Sequence, residues 1–275
     1  MSERNTHHIP VLTYHSMNVD GRDYANNDHV ALAADLEWLH AHGWRIVPLR
    51  AAVAAVCDGI RALPKRCCAI SFDDGSWFDW HDLEHPSHGR QRGMAGILRD
   101  FRARHGAPVH ATSFVIVSPD ARIELDRTCM LGLGWWGHEW WPQAEAEGLI
   151  GIESHSFDHN HHTLSRSAFG EEPDGRFDGL FTEAVADAEI VAASRWLDAA
   201  LPTRRTSLFA YPYGQSSAFL RTDYLPRRRT DHGLVAAFGT DPRAMSASDD
   251  RWNLPRFVCG RDWRSVEELG QLLEA

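Results

Sequence analysis

Three polar clusters each follow directly after a short apolar run, and this pattern constrains the fold more than any other feature of the 275-residue chain. The clusters are Asp73-Asp74, residues 155–159 and residues 211–214, which follow apolar runs at 67–72, 149–153 and 207–210. Apolar runs that alternate with helical patterns predict parallel strands joined by helices. In such folds the chemistry collects at the carboxyl ends of the strands. The sequence therefore predicts an α/β protein whose three clusters meet at one edge.

Other periodic segments complete this prediction. Predicted helices lie at 51–56, 94–104, 182–200 and 266–273, with another that Asp28 caps and Gly43 ends. Further strands are predicted at 9–14, 44–49, 109–117, 234–238 and 257–258, and residues 76–93 and 128–142 read as irregular. Because no repeat or low-complexity linker interrupts the chain, we expect a tail over residues 1–9 and one domain over residues 10–275.

Composition excludes several classes of protein. Hydrophobic residues make up 43% and charged residues 24%, which is typical of a globular chain. The net charge of −10 argues against a nucleic-acid partner, because phosphate binding needs clustered Lys and Arg. No apolar run reaches bilayer length, so no membrane span is expected. The five scattered cysteines and the absence of a visible signal peptide favour the cytoplasm, although a mature exported form would look the same.

The clusters carry the residue types of a metal site. A carboxylate with two imidazoles suits a borderline divalent metal such as zinc and leaves room for water and substrate. His155 and His159 are spaced i, i+4, and a neighbouring carboxylate of the Asp73-Asp74 pair is free to act as a base. An isolated acid pair after a strand is also typical of a turn or cap. His161 and His162 leave the choice of the second histidine open.

Four segments in order resemble the motifs of the polysaccharide deacetylase family, also called carbohydrate esterase family 4 or the NodB-homology domain. They are Ser71-Phe72-Asp73-Asp74-Gly75, resembling (T/S)FDDG; His155-Ser156-Phe157-Asp158-His159, resembling H(S/T)xxH; Phe209 to Gly214, resembling the third motif; and Tyr14-His15, resembling the opening of the subgroup that includes poly-N-acetylglucosamine deacetylases. Each motif is modest alone, but their order and spacing fit nearly the whole chain.

The resemblance implies a distorted (β/α) barrel, with seven strands expected, and metal-dependent removal of acetyl groups from N-acetylated sugars. By the same resemblance Asp74, His155 and His159 bind the metal and Asp73 is the general base. The backbone N–H of Tyr213 then stabilises the oxyanion, and His15 is the general acid. A buried structural role for His15 is the alternative.

The chain departs from the family pattern in two places. The third motif often begins with an arginine that steadies the base, and here Ala210 stands at that position. Arg256, in an LPR segment, is expected to supply the guanidinium from a neighbouring strand. The late LxH motif that usually supplies the acid has no clear match, which leaves His232 as an alternative to His15.

Aromatic residues near the clusters suggest substrate contacts. Trp135 and Trp136 belong to a Trp-rich segment, and aromatic faces stack on sugar rings. Tyr211 and Pro212 of the third motif are further candidates. Packing of the tryptophans against the barrel is the alternative.

The leading prediction is a metal-dependent deacetylase of an N-acetylhexosamine glycan or its precursor. The cofactor is most simply Zn²⁺, with Co²⁺, Ni²⁺ or Fe²⁺ as alternatives. A second hypothesis keeps the fold but assigns a small N-acyl or cyclic amide as substrate. A third is an inactive carbohydrate-binding module. The sequence indicates no oligomeric state.

Overall fold

A computed structural model of the protein describes residues 8–60, 63–180 and 182–274. Within these ranges, no helix is long and apolar enough to cross a membrane. The described residues build a single domain around one curled parallel sheet.

Seven parallel strands form this sheet in the order β10-β1-β3-β6-β7-β8-β9, and the short β2 pairs with the start of β3. A separate antiparallel hairpin joins β4 and β5. The strands are β1 (Val11–His15), β2 (Arg45–Ile46), β3 (Cys67–Asp74), β4 (Leu83–His85), β5 (Gly89–Gln91), β6 (Ala111–Val115), β7 (Ile150–Ser154), β8 (Leu208–Ala210), β9 (Ala236–Phe238) and β10 (Phe257–Val258). This topology confirms the predicted seven-stranded distorted barrel.

The two edges of the sheet are linked through one short segment. Phe238 at the end of β9 pairs with Leu254, and Phe257 three residues later pairs with Leu12 of β1. We call residues 254–257 the closing segment, because it joins one edge strand to the other. Arg256 of the LPR segment lies in it.

Helices connect most successive strands, as right-handed β-α-β topology requires. They are α1 (Asp28–Ala41), α2 (Leu49–Asp58), α3 (Met94–His105), α4 (Pro119–Cys129), α5 (Trp141–Glu147), α6 (Glu183–Ala186), α7 (Ala192–Ala200), α8 (Leu225–Arg227), α9 (Arg229–His232) and α10 (Val266–Glu274). A π-helical turn, Asp187–Val191, joins α6 to α7 into one continuous rod. A second π-helical turn, Leu220–Tyr224, precedes α8.

The strands are buried on both faces, which explains their near-continuous apolar sequence. In β3, every residue from Cys67 to Asp73 is buried. Apolar clusters on either face of the sheet hold large side chains such as Phe72 and Phe114. Because both faces of the sheet are buried, only residues at the strand ends can contact solvent or a substrate.

Several local predictions differ from the structure. The segment 76–93 contains the β4–β5 hairpin rather than only a loop, and α4 and the helical turns from 220 to 232 carry too little apolar periodicity to be recognised. The cap of α1 is Asn27 instead of Asp28, because the Asn27 side chain accepts hydrogen bonds from the N–H groups of His29 and Val30.

Replacing Asn27 by Ala should destabilise the protein. The buried amide caps α1 and also donates to Gly21 and Gln91, so we expect a loss of about 1–3 kcal/mol in the free energy of unfolding. Urea denaturation measures it. The matched variant Asn26→Ala removes an exposed side chain that accepts one hydrogen bond, from the N–H of Asp23, and should cost less than about 1 kcal/mol. Equal effects of the two variants would contradict the capping role.

Candidate active site

Asp74, His155 and His159 converge at the carboxyl ends of β3 and β7. The Asp74 Oδ1 atom lies 3.6 Å from Nε2 of His155 and 3.7 Å from Nε2 of His159. One ligand atom from each residue lies within 4.8 Å of the other two. These distances permit one small cation to bind all three side chains. In the described part of the chain, no other group of three His, Cys, Asp or Glu residues has this spacing.

The two histidines are oriented differently. Nδ1 of His155 donates to the carbonyl oxygen of Ala210 at 2.9 Å, which leaves the Nε2 lone pair for a metal. Nδ1 of His159 is buried and has no hydrogen-bond partner among the described residues. Burial, together with the neighbouring His155 and His161, lowers the pKa of His159 well below its usual value. A neutral imidazole is the form that binds metal.

The backbone around these residues is strained. Among the described residues, five that are not glycine have a left-handed backbone with positive φ: Asp74, Ser156, His159, Asn160 and Tyr213. All five belong to the three polar clusters or their immediate flank. Such conformations cost about 1–3 kcal/mol each and persist only where the surrounding structure enforces them. Their concentration here marks this edge of the sheet as the functional one.

Asp73 forms a bidentate ion pair with Arg256. The two guanidinium nitrogens lie 2.7 and 2.8 Å from the two carboxylate oxygens, and Arg256 is fully buried. Arg256 also donates to the carbonyl oxygen of Gly239 at 3.1 Å. Ala210 stands where the third motif often has an arginine, so that position provides no cation for Asp73. Arg256 of the closing segment provides it instead.

The charge of Asp73 is stabilised despite its burial. Burial alone raises the pKa of this carboxyl, but the positive charge of Arg256, the neighbouring His155 and the hydrogen bonds from Arg256 outweigh it. The net effect holds the pKa of Asp73 well below its usual range. The carboxylate is therefore ionised at neutral pH.

The donor set fits a divalent metal such as zinc. Two imidazole nitrogens and one carboxylate oxygen are borderline ligands, and three protein ligands leave positions open for water and substrate. His161 and His162 are not part of this group of three. His161 stacks on His162 at 4.5 Å instead and lies beside His159.

A cleft of about 520 Å³ opens above these residues. His15 lines it, and its backbone N–H donates to Asp28 at 2.6 Å. The ring of Tyr213 lies 4.5 Å from that of His159 and is 40% exposed. Trp136 lines the same cleft, and its indole N–H donates to the carbonyl oxygen of Asp74 at 3.1 Å. Asp73, Asp74, His155 and His159 lie in this wall as well.

Three residues predicted to contact substrate lie outside the lining of the cleft. Tyr211 is fully buried and donates its hydroxyl to the carbonyl oxygen of Trp252, and Pro212 beside it is also buried. Trp135 packs edge-on against Phe78. Tyr211 and Pro212 are therefore not placed to touch a substrate with their side chains, and Trp135 is half-buried outside the lining of the cleft.

His232 is also held away from the cleft. Its two ring nitrogens contact the carbonyl oxygen of Leu225 and the N–H of Leu234, and the side chain is buried. Both ring nitrogens are therefore engaged by backbone, which suits a structural role.

Three further residues near the site were not predicted from the sequence. Asp79 is fully buried behind the site and accepts a hydrogen bond from the Ser113 hydroxyl at 2.6 Å. Its burial and the charges of Asp74 and Asp73 raise its pKa to about 7, although the hydrogen bond from Ser113 opposes this rise. Cys129 lines the cleft from the end of α4. Glu189 is buried behind the histidine loop. The available signal for Glu189 was its position as the one charged residue in the apolar run of residues 188–193.

Residues 61–225 match the sequence profile described as polysaccharide deacetylase, which covers more than half of the chain. The chain belongs to the polysaccharide deacetylase family. It is accordingly a hydrolytic deacetylase, of a family that acts on carbohydrates. A comparison with curated proteins found no significant match.

Solved structures share the fold over nearly the whole chain. A deacetylase from Streptococcus pyogenes, PplD in complex with acetate, is 17% identical with a TM-score of 0.67, covering 98% of this chain and 99% of its own. IcaB from Ammonifex degensii is 21% identical with a TM-score of 0.61, covering 98% of each chain. The BpsB deacetylase domain from Bordetella bronchiseptica is 15% identical with a TM-score of 0.62, covering 94% of this chain and 97% of its own. At these identities the likeness concerns the fold.

Removing the guanidinium of Arg256 should strongly destabilise the protein at neutral pH. Arg256→Ala leaves the Asp73 carboxylate buried and unpaired, and we expect a loss of about 3–5 kcal/mol in the free energy of unfolding. Because the pKa of Asp73 is lowered in the folded state, the ion pair contributes fully to the free energy of unfolding above a pH of about 4. This contribution is lost as the pH falls further. The difference between wild type and variant should therefore shrink in acid.

Urea denaturation at neutral and acidic pH measures this difference. The control variant Arg261→Ala removes a half-exposed arginine at the rim of the same cleft and should cost less than about 1 kcal/mol. A small, pH-independent loss in Arg256→Ala would contradict the assignment of a charged, mutually dependent pair.

Proposed function

We propose that the protein uses a divalent metal, most simply Zn²⁺, to remove N-acetyl groups from an N-acetylhexosamine-containing glycan or its precursor. One observation carries the proposal: an Asp–His–His group of ligand spacing lies beside an ionised acid on the floor of one cleft. Family membership supports the carbohydrate substrate over a small amide. An inactive binding module would not need all four of these side chains at such close range.

Asp74, His155 and His159 would hold the metal. When bound there, a divalent cation polarises the amide carbonyl and lowers the pKa of a water molecule. Co²⁺, Ni²⁺ and Fe²⁺ accept the same donor atoms. The Ala210 carbonyl supports the metal-binding role of His155 by fixing its tautomer.

Asp73 is proposed as the general base. Its carboxylate lines the cleft and takes a proton from the attacking water, while Arg256 keeps it ionised and fixes its orientation. The backbone N–H of Tyr213 is proposed to donate to the oxyanion that forms on the former carbonyl oxygen. Tyr213 has a left-handed backbone at the lip of the cleft, which supports a function for its main chain.

His15 is proposed as the general acid. The departing nitrogen leaves as an amine only if it receives a proton, and His15 lines the cleft at the end of β1, the strand next to β3. Trp136, in the wall of the same cleft, offers an apolar surface for the acetyl group or the sugar ring.

Asp74→Ala and Asp73→Asn should separate metal binding from catalysis. We expect the first to lose metal and activity together, because it deletes a ligand. The second should keep metal but lose about 10²–10⁴-fold in kcat, because an amide cannot accept the proton. The assay is acetate release from N-acetylglucosamine oligomers by chelated protein with and without added Zn²⁺, with metal binding followed by calorimetry.

Asp231→Asn on α9 is the matched control and should preserve both properties. Retained turnover in both Asp74→Ala and Asp73→Asn would overturn the proposal. Zinc binding without any acetate release by the wild type would count against the glycan substrate.

The role of His15 can be tested by changing the leaving group. His15→Ala should lower kcat on N-acetylglucosamine oligomers by about 10²-fold or more, because the amine must be protonated. On 4-nitrophenyl acetate, whose phenolate leaves without a proton, the loss should be much smaller. His232→Gln should leave the ratio of the two activities unchanged. An equal loss on both substrates in His15→Ala would contradict its role as the acid.

A further inference from the structure

One buried carboxyl holds the loop that carries both histidine ligands. We call residues 155–159 the ligand loop. Oε2 of Glu189 accepts hydrogen bonds from the backbone N–H groups of Phe157 at 3.2 Å and Asp158 at 3.3 Å. Two of the three residues between the two histidines are therefore bonded to Glu189 through their backbone.

The helix is distorted where it presents this side chain. Glu189 lies at the centre of the π-helical turn Asp187–Val191, in which the N–H of Ala192 reaches back five residues to the carbonyl oxygen of Asp187. π-Helical turns are uncommon and concentrate at functional sites. The adjacent Ile190 and Val191 pack in the apolar core. A fully buried carboxyl in such surroundings is costly unless its hydrogen bonds compensate.

His159 depends on the backbone of this loop for its orientation. The ring of His155 is fixed by its own hydrogen bond to Ala210, whereas Nδ1 of His159 has no partner among the described residues. Ser156 and His159 both have left-handed backbones, which a free loop would not keep. The hydroxyl of Ser156 accepts from the N–H of His159 at 2.9 Å, and the two residues before His159 are held by Glu189.

We propose that Glu189 is a positioning residue, which aims His159 at the metal by holding the backbone of the ligand loop. It touches neither the metal ligands nor the substrate. The inference rests on the metal site of the proposed function and is independent of the identity of the substrate.

Glu189→Ala should weaken metal binding while the three ligands remain in the chain. Loss of a hydrogen bond that orients a ligand typically costs about 10–100-fold in metal affinity, and we expect the Kd for Zn²⁺ to rise by that factor. The visible absorption spectrum of the Co²⁺-loaded protein should also change, because the position of His159 changes. Calorimetry and spectroscopy on the full chain measure both.

Glu189→Gln provides a test by conservative replacement. Its amide oxygen can accept from the same two backbone N–H groups as the carboxylate does. We therefore expect its Kd to stay within about three-fold of wild type, with the wild-type Co²⁺ spectrum. Should Glu189→Ala fail to fold, Glu189→Asp, whose carboxyl falls short of the loop, replaces it and should weaken metal binding in the same direction.

Ile190→Ala is the matched control. Ile190 follows Glu189 in the chain and is fully buried. Its replacement by Ala should lower the free energy of unfolding by about 2–5 kcal/mol while the hydrogen bonds to the ligand loop remain. Its metal affinity should match that of wild type. The proposal is overturned if Glu189→Ala or Glu189→Asp binds metal like wild type, if Ile190→Ala weakens binding equally, or if the wild type binds no metal. A wild type that binds metal but releases no acetate leaves it standing.

Discussion

The ion pair between Asp73 and Arg256 is the interaction on which the rest of the site depends. Both side chains are buried, and a buried charge is tolerated only when its partner is in place. Arg256 lies in the segment that joins the two edges of the sheet, so the same residue closes the barrel and keeps the acid ionised. Its guanidinium also lies 5.3 Å from the ring centre of Phe114, which ties the pair to the central strands.

Two adjacent acids acquire different partners through the backbone between them. In a regular strand, neighbouring side chains point to opposite faces, but both Asp73 and Asp74 line the cleft. The left-handed backbone of Asp74 interrupts the alternation at the strand end. Asp73 therefore meets a guanidinium, while Asp74 faces two imidazoles. This separation is what allows one acid to bind a metal and the other to move a proton.

The sequence was most informative where a pattern is local. Apolar runs and the acids and histidines that follow them predicted the strands and the convergence of Asp74, His155 and His159, because strand ends meet in any parallel barrel. Contacts between distant segments were not visible. Tyr211 belongs to the third motif yet faces the interior, and Glu189 reaches the ligand loop from a π-helical turn. Secondary-structure propensity predicts neither the direction in which an aromatic side chain points nor the position of a π-helical turn.

Because residues 254–257 close the barrel, the active site can be completed only after this late segment has been synthesised. Asp73 and its arginine are separated by 183 positions, so every metal ligand and the base leave the ribosome long before the guanidinium that the base requires. Until Arg256 has been added, Asp73 lacks the guanidinium that offsets its burial in the folded protein. The site is complete only once Arg256 has been synthesised, and a product truncated before the closing segment lacks the partner of Asp73.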